Sequence, residues 1–193
     1  MKALLFKLSK RIYQTRIPLS VTLIGVSNIH VGNNCWIDPL CYLKSEGPDG
    51  VLRIGNNVAV KRYSHISAKG SKVEIKDFSY VGYNNWIGGQ GNITIGRNFM
   101  SGMNVVIISS NHDYYNINVP YHMGDEIKGD ILIGANVWIG ANSVVLPGTS
   151  IGDGAVIGAG SIVTQDIPQY VLVTGNPAMV IKQIHRKSGE SAT

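Results

Sequence analysis

From Ile133 onward the chain places an aliphatic residue at every sixth position: Ile133, Ile139, Val145, Ile151, Ile157 and Val163. Glycine follows at 134, 140, 152 and 158. Four residues after each of the first five aliphatics stands a small or β-branched residue: Val137, Ser143, Thr149, Ala155 and Ser161. A period of six matches neither the 3.6 of a helix nor the 2.0 of an ordinary strand. It matches a β-solenoid in which each hexad makes one short strand and one turn, and three hexads close a triangular coil. The aliphatics then point inward and stack on their equivalents at the interstrand spacing of about 4.8 Å. Glycine serves the tight corners, where a Cβ would be costly.

The same beat runs upstream with interruptions. Coils start at Val31, Ile54, Ile75, Ile95, Ile133 and Ile151. The second and third inward positions follow in sixes: Ile37 and Leu43, Val60 and Ile66, Val81 and Ile87, Ser101 and Ile107, Ile139 and Val145. Every extra stretch leaves after the third hexad, hence from one corner of the prism. The longest, residues 108–130, interrupts the pattern with SSNHDYY and then carries Pro120, Tyr121, His122 and Met123. Long excursions from compact repeats usually carry function, and this composition suits a packing arm.

Two flanking segments complete the expected organisation. Residues 1–26 read as a short amphipathic helix, with Leu4, Leu5, Leu8 and Ile12 on one face, and a lead-in. Residues 27–168 form the solenoid domain. Residues 169–193 form a strand or helix cap and a tail. In the cap, Asn176 is a candidate N-cap and Pro177 a candidate first helical residue, so a capping helix is expected over the last coil's open edge.

Composition narrows the function. The net charge of +5 is accounted for by the first 16 residues, where Lys2, Lys7, Lys10, Arg11 and Arg16 meet no acid. The remainder is balanced, unlike the basic face of a nucleic-acid protein, so no nucleic-acid partner is expected. No apolar run reaches the roughly 18 residues of a membrane span. The N-terminal segment lacks the apolar core and cleavage site of a secretion signal. A cytoplasmic protein is expected, its basic helix compatible with the inner face of the membrane. Cys35 and Cys41 fall in the small-residue column, which reads as inert burial in a reducing compartment rather than a metal or disulfide site.

The hexads IGANVW, IGANSV, VLPGTS, IGDGAV and IGAGSI, followed by VTQDIP and GNPAMVIK, resemble the hexapeptide-repeat acyltransferases. The likeness is nearest to galactoside and maltose O-acetyltransferases, serine acetyltransferases and bacterial polysaccharide O-acetyltransferases. It implies an all-β fold, the left-handed parallel β-helix, and a homotrimer with each active site between two prisms. It also implies acetyl-CoA as cosubstrate, no metal, and an acceptor entering from the looped side. His112 in NHDYYN matches the catalytic histidine of these enzymes. An imidazole with an ordinary pKa near 6.5 suits proton abstraction from a hydroxyl as that hydroxyl attacks a thioester.

By family position Ala141, Ala159, Thr164, Gln165 and Lys182 should touch CoA, the alanines through their backbones. Trp138, at an outward position, can wall the thioester and pantetheine. Relatives often carry Lys where Gln165 stands and a basic residue where Met179 stands; Lys182, Arg186 and Lys187 can take over the phosphates. For the acceptor, Asn84, Asn85 and Gln90 supply amides suited to sugar hydroxyls, with core amide ladders as the competing use. The function expected is acetyl transfer to a hydroxyl of a sugar or polysaccharide precursor. N-acylation of an amino sugar and acetylation of a drug are the near alternatives. A γ-type carbonic anhydrase would need three converging histidines from His65, His112 and His122, and an ice-binding solenoid would need a flat Thr-rich face.

Overall fold

The computed structural model describes residues 14–185. Sheets of seven, six and eight strands, parallel except for the last described strand, form the three sides of a left-handed, triangular β-helix. The inward columns run in the register of sixes. Val31, Ile54, Ile75, Ile95, Ile133 and Ile151 stack on the first side. On the second side Ile37 stacks on Val60 and Val60 on Val81, then Ser101 on Ile139 and Ile139 on Ile157. Leu43, Ile66, Ile87, Ile107, Val145 and Val163 stack on the third. All are buried. Ser101 breaks the aliphatic column at small cost, since its hydroxyl accepts the Gly82 N–H at 3.0 Å.

The small-residue column has a specific task. At the corner between the second and third sides, four of these side chains donate to a carbonyl one coil up: Cys41 to Lys61 at 3.1 Å, Ser64 to Gly82 at 2.8 Å, Asn85 to Gly102 at 2.9 Å and Ser143 to Gly158 at 3.1 Å; Val105 fills the same position with an apolar side chain. The third residue of these corners is left-handed. Asn84, Asn104 and Asn142 have φ of 53°, 57° and 59°, which asparagine tolerates better than most residues. Their amides link into a ladder, Asn84 to Asn104 at 2.9 Å and Asn104 to Asn142 at 3.0 Å.

The outward surfaces differ from side to side. The first side presents His30, Arg53, Glu74, Thr94, Leu132 and Ser150. The second presents Trp36, Ala59, Tyr80, Met100, Trp138, Val156 and Leu172 in register. The third presents Tyr42, His65, Trp86, Val106, Val144 and Ile162. On it the rings of Tyr42, His65 and Trp86 stack with centroids 4.3 and 4.0 Å apart.

The ends depart from expectation in two ways. Pairing with the prism begins at Arg16, which bridges Trp36, and Thr22–Ile24 pairs with the strand Tyr42–Glu46; the amphipathic helix lies outside the described residues. At the other end the capping helix is replaced by a strand. Val171–Thr174 continues the second side, the chain reverses through Gly175 and a cis Asn176–Pro177 bond, and Met179–Gln183 returns antiparallel. Asn-Pro therefore acts as a turn dipeptide. The β-branched Val180 and Ile181 suit a strand, and the open edge of Val171–Thr174 supplies hydrogen-bond partners that a helix could not use. Among the described residues no helix is long and apolar enough to cross a membrane.

Candidate active site

The 108–130 excursion is a hairpin arm. It leaves the corner between the third and first sides, where Val106–Ile108 runs on into Ser110–His112, and Glu126–Lys128 returns antiparallel. Ser109 anchors the root: its hydroxyl donates to Gly91 O at 2.7 Å, and its carbonyl accepts Gly129 N–H at 2.9 Å. Asp113 N donates to Asp125 O at 2.9 Å further out. These hydrogen-bonded pairs make the intervening match of His112 with Glu126 a narrow one, whose Cα atoms stand about 4.5 Å apart. His112 is exposed. The Asp113 carboxylate accepts the Tyr115 N–H at 2.9 Å, turning the chain into the tip. Tyr114, Tyr115, Ile117, Tyr121 and Met123 are all exposed there.

Below His112 the root holds a polar cluster. Glu126 Oε2 accepts the Ser110 hydroxyl at 2.6 Å, and Oε1 accepts Lys69 Nζ at 3.1 Å. The Gln90 side chain donates as well, and its backbone N–H reaches Ser110 Oγ at 3.2 Å. Burial pushes the Glu126 carboxyl up, but the bonds from Ser110, Lys69 and Gln90 outweigh it and hold the group below the ordinary glutamate value. Lys69 and Gln90 come from the two coils beneath the arm.

The predicted residues divide between two corners. His112 and Gln90 share the arm corner with Thr164 and Gln165, which are exposed beyond the strand Ile162–Val163. Asn84, Ala141 and Ala159 lie on the corner between the second and third sides, where Gly160 N donates to Ala141 O at 2.8 Å. Asn85 turns inward at that corner and is 2% exposed; its amide is committed to the Tyr83 and Gly102 carbonyls. Trp138 stands on the second side, half-exposed, and Lys182 sits on the returning strand opposite Leu172. Arg186 and Lys187 lie outside the described residues.

The other histidines stay apart. His65 is sandwiched between Tyr42 and Trp86, where burial and then the Lys44 cation push its imidazole below the ordinary value. His122 lies in the tip turn Tyr121–Met123. Among the described residues no three His, Cys, Asp or Glu side chains gather as metal ligands would. Sequence reasoning missed Ser110, Lys69 and Glu126, because only the hairpin register brings them together and a count of hexads does not carry it.

Residues 130–165 match the model of the bacterial transferase hexapeptide, six repeats. The galactoside O-acetyltransferase of Escherichia coli (strain K12) is 34% identical over 160 residues, which span 80% of this chain and 64% of that protein. The chain is thus similar to the bacterial hexapeptide transferases over residues 130–165 and to this O-acetyltransferase over most of its own length. It spans less than two thirds of that relative's length. Among solved structures, a maltose O-acetyltransferase from Clostridium difficile 630 superposes with a TM-score of 0.51 at 25% identity, over 92% of this chain and 83% of that one. An N-acyltransferase from Bacillus cereus, solved with dTDP-4-amino-4,6-dideoxyglucose and coenzyme A, superposes with a TM-score of 0.68 over 87% of this chain and 86% of that one. At 22% identity that second likeness speaks to the fold.

Proposed function

We propose that this hexapeptide-repeat protein is an acetyl-CoA-dependent O-acetyltransferase acting on a sugar or polysaccharide-precursor hydroxyl, with His112 as general base. The observation that carries the reading is an exposed imidazole held at the root of an arm, on a solenoid whose upper coils are otherwise regular. In this reading His112 removes the acceptor hydroxyl proton as the oxygen attacks the acetyl carbonyl of the thioester. The tetrahedral intermediate collapses with cleavage of the C–S bond, and the imidazolium returns its proton to the departing CoA sulfur. Backbone N–H groups stabilise the oxyanion. The hydroxyl is preferred to an amine as acceptor because the galactoside and maltose relatives are named O-acetyltransferases.

The active assembly in this reading is a homotrimer. Gln90 and His112 stand on one corner, and Trp138, Ala141 and Ala159 on or beside the next. One side of the prism separates them. A second copy that sets its own corner against the arm brings both groups into one cleft, and the outward ladder of Trp36, Tyr80, Met100 and Trp138 offers apolar surface to bury. Acetyl-CoA then runs beside the upper coils, with Thr164, Gln165 and Lys182 along its path, and the acceptor meets Gln90 and Asn84. A cytoplasmic site of action follows from the cosubstrate.

Thiol release from acetyl-CoA across a panel of glycosides tests the proposal. His112→Ala is expected to lose acceptor-dependent turnover by about 10²-fold or more. Undiminished turnover in that variant rejects His112 as the base, and turnover with no glycoside in the panel rejects the sugar acceptor.

A further inference from the structure

Resting on the reading of His112 as base, we infer that Glu126 is its positioning residue: the carboxylate clamps the root of the arm to the prism and so fixes where the imidazole stands. Glu126 lies directly opposite His112 in a narrow antiparallel pair, the closest cross-strand relation a ladder offers. Its two oxygens are engaged by Ser110 at 2.6 Å and Lys69 at 3.1 Å, and the Gln90 side chain joins them. The carboxylate is thus directed at the prism rather than at the imidazole.

The four groups come from separate places in the chain. Ser110 belongs to the outgoing strand of the arm and Glu126 to the returning one. Lys69 ends the strand His65–Lys69, and Gln90 follows the strand Trp86–Gly89. Glu126 therefore ties both strands of the arm back over two coils. Among the described residues Lys69–Glu126 is the one ion pair joining arm to prism.

A carboxylate is the side chain suited to this point, because it accepts from a hydroxyl, an ammonium and an amide at once. Beyond the clamp the arm is exposed, with Tyr114, Tyr115, Ile117, Tyr121 and Met123 all facing solvent. Among the described residues no ion pair farther out ties the arm to the prism. A base displaced by about 1 Å loses on the order of 10²-fold in rate, so an anchor in the same cross-strand pair acts directly on turnover.

Steady-state thiol release by the full chain, with acetyl-CoA and the best acceptor of the glycoside panel, tests this role in five proteins: wild type, Glu126→Gln, Ser110→Ala, Ser110→Thr and His112→Ala. Glu126→Gln is expected to lower kcat by roughly tenfold to a hundredfold with KM for acetyl-CoA held within about twofold. Ser110→Ala should lose less, and Ser110→Thr, which keeps the hydroxyl, should recover most of that loss. Hydrogen exchange at 110–112 and 126–128 should quicken in Glu126→Gln while the coils keep their protection. Wild-type kcat in Glu126→Gln, or unchanged exchange in the arm, overturns the positioning role and leaves the base intact. So does a loss of protection spread through the coils, because it makes the effect one of general stability. A fully active His112→Ala overturns the base itself, and the clamp's role with it.

Discussion

The coils below the arm and the coils above it share one interior and differ in much of what faces outward. Below, the corner between the second and third sides carries Leu40, Tyr63, Tyr83 and Met103, all exposed. Above, the same corner carries Ala141, Asn142, Ala159 and Gly160. The three ion pairs among the described residues, Lys44–Glu46, Lys61–Asp38 and Lys69–Glu126, all belong to the lower coils and the arm. Inward, Leu43, Ile66 and Ile87 meet Ile107, Val145 and Val163 in one unbroken register. A solenoid spends its interior on stability, and that frees its corners. In the proposed function the upper coils stay small so that a long cosubstrate can lie along them, and the lower ones diversify to meet an acceptor and a second subunit.

The interior should therefore be the costliest place to intervene, and more so in the regular half. Ile139 and Ser101 occupy neighbouring steps of one column. Ile139→Ala removes buried aliphatic volume from a site that cannot collapse, and should cost about 2–5 kcal/mol in urea unfolding. Ser101→Ala strands the Gly82 N–H that the hydroxyl accepts and should cost about 1–3 kcal/mol. A larger loss at Ser101 than at Ile139 would break the idea that aliphatic stacking dominates the interior.

The corners should respond in opposite directions. Tyr63 holds φ of 64° and Asn142 φ of 59° at equivalent points of the same corner, in coils on either side of the arm. A bulky residue pays about 1–2 kcal/mol for the left-handed conformation, and asparagine pays less. Tyr63→Asn should raise the melting temperature of the isolated subunit by a corresponding amount. Asn142→Tyr should lower it and also break the bond from Asn104. If Tyr63→Asn stabilises the chain while weakening its self-association, the strain at Tyr63 is maintained for an interface.

How much was legible in advance follows from the same division. The period of six is carried by inward residues such as Ile133 and Val163, so coil starts, corners and the position of the arm could all be counted. The placement of His112 on that arm could be counted too. Three things were not read from that period. Glu126 meets Ser110 through an antiparallel register that obeys the hairpin rather than the hexads. Asn85 looked like a sugar ligand because an amide reads the same in either orientation; only its place in the column of Cys41, Ser64 and Ser143 reveals its use at a carbonyl. The C-terminal strand was missed because Asn176–Pro177 serves a helix start and a turn equally well, and the open edge of Val171–Thr174 decided between them.

Acid should expose the lower corner selectively. Burial pushes Asp38 up, but hydrogen bonds from Lys61 and the Trp36 indole, with the Lys61 charge, bring it below its ordinary value. A carboxylate depressed in the folded state contributes stability above its unfolded pKa, near 3.9, and loses that contribution as pH falls through the folded value. Asp38→Asn should therefore destabilise by about 1 kcal/mol at pH 7 and by almost nothing near pH 2. An equal penalty at both pH values would assign the loss to packing around Trp36 instead of charge.

The smallest effect expected tests whether the two halves share their corner chemistry. Burial, first of its causes, pushes the Cys41 thiol up to about 11, so at pH 8 it is a protonated donor to the Lys61 carbonyl. In the upper half Ser143 makes the equivalent bond to Gly158. Cys41→Ser exchanges one small donor for another in the same column and should shift stability by no more than about 1 kcal/mol. The folded wild type should resist a thiol reagent at pH 8 and react at both cysteines once unfolded in urea. Rapid labelling of the folded chain would mean that the lower corners open where the upper ones stay shut. The contrast between the halves would then extend inward, and stability could no longer be treated as uniform along the prism.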